Sequence, residues 1–160
     1  MDTNPQPPHH LLFVCTANIC RSPMAHWLAV DYAKKRHWRV DVRSGGTLGL
    51  KSYPPADHAI SVMNEIGIDI SHHRCSGITE DDIQWSDYIL VMTIEHASQL
   101  NSKYEHADGK ILQLGTFGGY TEIKDPYKSW KWRFRSCRRS IEESVISFMD
   151  QLPPRPIEMK

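Results

Sequence analysis

Val14-Cys15-Thr16-Ala17-Asn18-Ile19-Cys20-Arg21-Ser22-Pro23 is the most informative stretch of the chain. It is entered through Leu11-Leu12-Phe13-Val14-Cys15, a continuous apolar run of the kind found in strands covered on both faces. Pro23 suits the first turn of a helix, and Met24, Trp27, Leu28 and Tyr32 then recur at helical spacing. The stretch is therefore a loop between a strand and a helix N-terminus. Backbone N–H groups at such a place point into the loop, and the helix dipole adds partial positive charge. An anion fits there, and Arg21 offers a planar fork that matches two oxygens of a phosphate-like dianion. The same field favours the thiolate of Cys15, which makes it a candidate nucleophile. Ser22 is placed to donate its hydroxyl to that sulfur. Asn18 is the loop residue best suited to a left-handed turn that brings the amides inward. C-x5-R alone is a weak pattern, and a buried cysteine at a strand end is ordinary packing. The serine, the proline and the preceding strand make the combination specific.

Outward from this segment, apolar runs alternate with helical periods. Residues 38–43 read as a second strand, ended by Ser44-Gly45-Gly46. Residues 56–66 read as a helix with Gly67 at its end. Residues 88–92 read as a third strand, 95–100 as a short helix and 110–114 as a fourth strand. The last helix is expected over residues 130–152, with Trp130, Phe134, Cys137, Ile141, Val145 and Phe148 as its inner stripe. This alternation predicts an α/β fold: a single three-layer domain with a central four-stranded parallel sheet flanked by helices on both faces. Ligands in such sheets bind beyond the carboxyl ends of the strands. The domain is expected over residues 10–152, between a flexible N-terminal tail (1–9) and a flexible C-terminal tail (153–160), where Pro153-Pro154-Arg155-Pro156 cannot continue a helix.

Composition sets the outer limits. A chain of 160 residues predicts one domain. Lys+Arg and Asp+Glu are 19 each, which excludes a polycation or a long acidic tail but leaves room for a local basic pocket. No apolar run approaches the roughly 18 residues of a membrane span, so no membrane insertion is expected. The polar, proline-rich start lacks a secretory signal, so a cytoplasmic location is expected. The four cysteines lack the density of a disulfide scaffold and the spacing of a zinc site. In a reducing compartment a cysteine that matters is reactive rather than structural.

Ile123-Lys124-Asp125-Pro126-Tyr127 follows the fourth strand and offers a carboxyl group able to protonate a leaving oxygen. Asp-Pro is also a common turn start, so residue types alone leave that role open.

The chain resembles the low-molecular-weight protein tyrosine phosphatases. Residues 14–23 match that family's V-C-x-x-N-x-C-R-S-P pattern at every specified position, and the similarity runs from about Leu11 to Phe148. The family carries its general acid in an Asp-Pro-aromatic motif at this point of the chain. The resemblance thus implies Cys15, Arg21 and Asp125 as catalytic residues and Tyr127 as a wall of the substrate pocket. Leu50 would be another wall, where the family often has an aromatic. Thr16, Ala17, Asn18, Ile19, Cys20 and Ser22 would form or support the phosphate loop. The implied reaction is hydrolysis of phosphotyrosine in proteins, and of small aryl phosphates, through a phosphocysteine. It needs no metal and no cofactor, because loop amides and Arg21 supply the positive charge. Cys20 would protect oxidised Cys15 as a disulfide. Ser44 resembles the serine that supports the loop asparagine, and His73 the histidine that braces it, although His72 is adjacent and Cys75-Ser76-Gly77 departs from the family's Ala-Arg-Gln. A phosphotyrosine protein is the implied partner, with the chain a monomer or weak homodimer.

Arsenate reductases share the fold but need a relay cysteine just after the third strand, where this chain has Thr93-Ile94-Glu95. Protein-arginine phosphatases typically carry threonine where Ile19 stands. A different class is a nucleic-acid or phosphoprotein binding module, suggested by Lys128, Lys131, Arg133, Arg135, Arg138 and Arg139 interleaved with Trp130 and Trp132. Glu142 and Glu143 follow directly, which favours a solvated basic face with no nucleic-acid role.

Overall fold

The structure is a computed structural model that describes residues 6–158. Strand β1 (His9–Cys15) carries the apolar run, and α1 (Arg21–Arg36) follows the loop. Then come β2 (Val40–Gly46), α2 (Asp57–Asn64), α3 (Glu80–Trp85), β3 (Tyr88–Val91), α4 (Ile94–Lys103), β4 (Ile111–Gln113) and α5 (Lys131–Asp150). The four strands form one parallel sheet in the order β2-β1-β3-β4. Successive β1 side chains point to opposite faces, and both faces are covered. Leu11, Phe13 and Cys15 face the core shared with α1, α2 and α5, while Leu12 and Val14 face the one shared with α3 and α4. β1 is central, so its carboxyl end, and with it Cys15, sits mid-sheet beneath the loops.

Several boundaries differ from the expectation for physical reasons. β2 continues through Ser44-Gly45-Gly46 instead of ending there, because its ladder with β1 runs until Cys15 opposes Gly46. Trp38 lies outside β2 and bridges Pro156. α3 has a single buried residue, Ile83, and so shows no apolar period; a capping box between Thr79 and Asp82 starts it. Trp130 is 75% exposed and does not belong to the inner stripe of α5, whereas Phe134, Cys137, Ile141, Val145 and Phe148 are buried. Trp130 only precedes the helix as its N-cap residue.

The tails also differ. His9 is already part of β1, Gln6 O and Pro7 O accept from Arg39 and Arg155 at 2.8 Å each, and residues 1–5 of the expected N-terminal tail lie outside the described residues. The segment after α5, expected to be flexible, is tied down over its described part. His9 Nε2 bonds Pro153 O at 2.8 Å, Arg39 N donates to Arg155 O at 2.7 Å, and Ile157 N donates to His37 O at 2.7 Å. Those bonds give the segment's backbone partners that water would otherwise supply. No helix among the described residues is long and apolar enough to cross a membrane.

Phe134 is 2% exposed and meets the His58 ring edge-on at 5.3 Å, where α5 crosses α2. Phe134→Ala is expected to cost about 3–5 kcal/mol through lost transfer energy and a residual cavity. Urea unfolding measures this, and an unchanged midpoint contradicts the assigned core.

Candidate active site

β1 ends at Cys15 and α1 begins at Arg21, so residues 16–20 wrap over the carboxyl end of the sheet. No side chain caps α1 among the described residues, which leaves its first amides to the loop. Asn18 takes a left-handed backbone, φ 61°, and its N–H points to Cys15 Sγ at 3.3 Å. Gly46 packs against the same loop from β2. A Cβ there would lie 2.5 Å from Thr16 O, so only glycine permits this approach. Thr47 N and Leu48 N then donate to Cys15 O and Thr16 O at 3.0 and 2.9 Å.

A directed chain of hydrogen bonds ends on the sulfur. Trp27 Nε1–H donates to His73 Nδ1 at 3.1 Å, which leaves the ring proton on Nε2. That Nε2–H donates to Asn18 Oδ1 at 3.1 Å. Ser76 N donates to the same oxygen at 3.2 Å, so the Asn18 amide is oriented with Nδ2 toward Ser22 Oγ, 2.6 Å away. With that lone pair occupied, the Ser22 hydroxyl proton is directed to Cys15 Sγ at 3.0 Å. Each donor fixes the next, so four side chains aim one O–H at the thiol.

Arg21 is 3% exposed and ties three segments together. Its Nη1 donates to Ile123 O at 3.0 Å and its Nη2 to Thr16 Oγ1 at 3.3 Å. Asp125 Oδ2 lies 3.6 Å from Nη2, and this carboxylate, half exposed, accepts the Tyr127 N–H at 3.0 Å. Arg21 Nε has no acceptor among the described residues. A cleft of about 220 Å³ brings together Cys15, Arg21 and Asp125 with the apolar side chains of Ile19, Leu48, Leu50 and Tyr127. Thr16, Ala17 and Cys20 complete its lining. Burial, reinforced by Asp125, Cys15 and Cys137, pushes the Cys20 thiol up, well above the usual range. Cys15 and Cys20 are both free thiols.

Ser44 does not make the contact expected of it. Its Oγ bonds His26 Nδ1 at 2.8 Å and is not bonded to Asn18, whose side-chain oxygen is taken by His73 and Ser76. His73, not His72, braces the loop; His72 is exposed and meets Trp27 edge-on. Sequence reasoning passed over Trp27, Leu48 and His96. His96 Nδ1 accepts the Thr93 N–H at 3.2 Å, so its Nε2–H donates to Thr16 Oγ1 at 3.0 Å, beside Arg21. The signal for His96 was the Thr93-x-x-His96 spacing of a capping box.

Three of these histidines are held neutral. Burial, then His73 and His72, lowers His26 to about 3. Burial, then His72 and Arg74, lowers His73 to about 4, against the Asn18 contact that raises it. Burial and Arg21 lower His96 to about 4, against Asp125 and Glu122. An unfolded histidine takes up its proton near pH 6.5, so below that pH the unfolded chain binds protons that the folded chain refuses. Stability is therefore expected to fall as pH drops from about 6.5 toward 4, by on the order of a few kcal/mol. Tm measured across that window checks this. His26→Asn should flatten the slope, and a Tm independent of pH there would contradict the neutral assignments.

Comparison with known proteins agrees with this geometry. The model of the low molecular weight phosphotyrosine protein phosphatase family matches residues 10–155. The low molecular weight protein-tyrosine-phosphatase Etp of Escherichia coli K12 is 34% identical over 142 residues, covering 89% of this chain and 93% of that protein. A protein-arginine-phosphatase of Geobacillus stearothermophilus is 31% identical over 147 residues, covering 91% of this chain and 97% of that protein. A solved low molecular weight protein tyrosine phosphatase from T. tengcongensis superposes with a TM-score of 0.85 at 31% identity, covering 90% of this chain and 99% of that one. The Cys15 loop, Arg21 and Asp125 thus sit in a chain that belongs to the low molecular weight phosphotyrosine protein phosphatase family and is a phosphatase.

Proposed function

We propose that the chain hydrolyses phosphotyrosine in proteins, and small aryl phosphates, through a phosphocysteine. The carrying observation is one cleft that joins Cys15, Arg21 and Asp125 to an apolar wall of Ile19, Leu48, Leu50 and Tyr127. The loop amides and Arg21 bind the phosphoryl oxygens, and the unpaired Nε–H of Arg21 gains an acceptor there. Cys15 attacks phosphorus in line with the ester oxygen. Asp125 protonates that oxygen as the bond breaks, and the phenol leaves. The Ser22 hydroxyl holds the attacking sulfur and later eases its departure. Water then attacks the phosphocysteine, with Asp125 now accepting its proton, and orthophosphate is released. No cofactor or metal enters these steps. Aryl substrates suit the walls, since a planar ring lies against Tyr127 and fills the space between Ile19 and Leu50. On oxidation of Cys15 to a sulfenic acid by peroxide, Cys20 condenses with it to a disulfide and water, which thiols reverse. On the same reading the protein acts in the cytoplasm on phosphoproteins, as a monomer or weak homodimer.

Release of phenol from an aryl phosphate should proceed in EDTA and vanish in Cys15→Ser. Asp125→Ala should lower kcat by roughly 10²–10⁴-fold for phenols with poor leaving ability, with little change in phosphate inhibition. Side-by-side assays on phosphotyrosine and phosphoarginine peptides decide the substrate class. Faster turnover of phosphoarginine overturns the phosphotyrosine reading and leaves the nucleophile in place.

A further inference from the structure

Beside the catalytic cleft lies a second, larger one of about 340 Å³, and Asp125 borders both. Tyr120, Lys124, Pro126, Trp132, Arg133 and Ser136 line it. Its aromatic surface is open: Trp132 is 59% exposed, and Trp130 and Tyr127 beside it are 75% and 53% exposed. Large aromatic rings with neighbouring cations are the groups that anchor protein contacts.

The cleft is bordered by Glu122 and Asp125 as well as by Lys124 and Arg133, so its cations count only where they face no carboxylate. Two of the nearby carboxylates, Glu65 and Asp125, are paired with cations, and two, Glu122 and Glu143, keep their charge while accepting hydrogen bonds from neutral donors. Glu65 is held by Arg135 and Arg138 at 2.6 and 3.1 Å. Asp125 faces Arg21, Glu122 accepts the Ile94 N–H at 3.2 Å, and Glu143 accepts the Tyr120 hydroxyl at 2.6 Å. Lys124, Lys128 and Arg133 have no carboxylate within 4.0 Å among the described residues. Lys128 lies over the Tyr127 ring at 5.6 Å and Arg133 over the Trp132 ring at 5.0 Å. Two cations on exposed aromatic faces, Lys128 and Arg133, and Lys124 beside them therefore remain for an external anion.

We propose that this basic, aromatic surface at the start of α5 binds the acidic stretch next to the phosphotyrosine of a protein substrate, so that it selects substrates by their flanking sequence. The proposal rests on the phosphotyrosine reading above. Its geometry follows from the shared Asp125 edge. A chain whose phosphotyrosine enters the first cleft crosses that edge into the second, and each extended residue adds about 3.3–3.6 Å of reach. Carboxylates there meet Lys124, Lys128 and Arg133, while apolar side chains lie on Trp132. Such contacts raise the encounter rate and lower KM without touching the reacting atoms. An oligonucleotide is the weaker fit, because the adjoining cleft is read as seating a phosphotyrosine, which only a protein chain carries.

The test compares two phosphotyrosine peptides, one flanked by Asp and Glu and one by Ser and Gly, with para-nitrophenyl phosphate as the control. Wild type should favour the acidic peptide in kcat/KM by on the order of tenfold at low salt, through KM, and lose the preference as salt rises. Arg133→Glu and Trp132→Ala should remove the preference while para-nitrophenyl phosphate turnover stays unchanged. Equal kcat/KM for the two peptides, or an undiminished preference in both variants, overturns the proposal. Binding of the same peptides to Cys15→Ser, followed by tryptophan fluorescence, reads the surface without turnover. Tighter binding of the acidic peptide supports the proposal even if wild type prefers phosphoarginine, and equal binding overturns it. Salt-sensitive binding of an oligonucleotide that Trp132→Ala abolishes, with no discrimination between peptides, also overturns it.

Discussion

The site depends on the one-way sequence of donors that runs from the Trp27 indole through His73, Asn18 and Ser22 to the sulfur of Cys15. An indole N–H only donates, so it sets the direction for every later link. Reversing any link would strand a buried donor or acceptor, at a cost of about 1–3 kcal/mol. The arrangement requires His73 to be neutral, and burial ensures it. It also requires Asn18 in the left-handed region, where its backbone amide joins the Ser22 hydroxyl on the sulfur. One residue, Asn18, therefore shapes the loop and orients the proton that faces the Cys15 sulfur.

Arg21 does the complementary work from the other side. Its bond to the Ile123 carbonyl holds the segment that carries Asp125 against the loop that carries Cys15. Its second nitrogen shares Thr16 Oγ1 with His96, so α4 also bears on the guanidinium position. The Cys15 thiol, the Arg21 fork and the Asp125 carboxyl group come from separate elements, and a single buried cation keeps them in register. The apolar wall of Ile19, Leu48, Leu50 and Tyr127 gives that arrangement a substrate shape. The adjoining aromatic and basic cleft shares its Asp125 edge with this one.

Much of this was readable in the chain itself. The run from Leu11 to Cys15 announces a central strand because burial on both faces demands continuous apolar residues. C-x5-R followed by Ser-Pro announces an anion loop because helix amides and a guanidinium need that spacing. Asp125 and Tyr127 were identified through the family pattern. Where the reading of the elements failed, the cause was local. α3 buries only Ile83 and leaves no period to detect. Gly45 and Gly46 look like a strand end, yet the ladder with β1 carries through them. Trp130 fits a helical stripe on paper but precedes the helix and faces solvent.

Residue order alone was enough for the parallel α/β sheet and for a strand–loop–helix that carries Cys15 and Arg21, because each rests on contacts or periods within a short span of chain. Long-range pairings needed the folded molecule. Only packing shows that Ser44 bonds His26 while Ser76, 58 residues from Asn18, takes the place at the asparagine. Only packing shows that His73 rather than His72 points inward, and that His96 reaches Thr16 across 80 residues. A side chain's partner across such distances is decided by which elements the core brings together, and no local spacing encodes that.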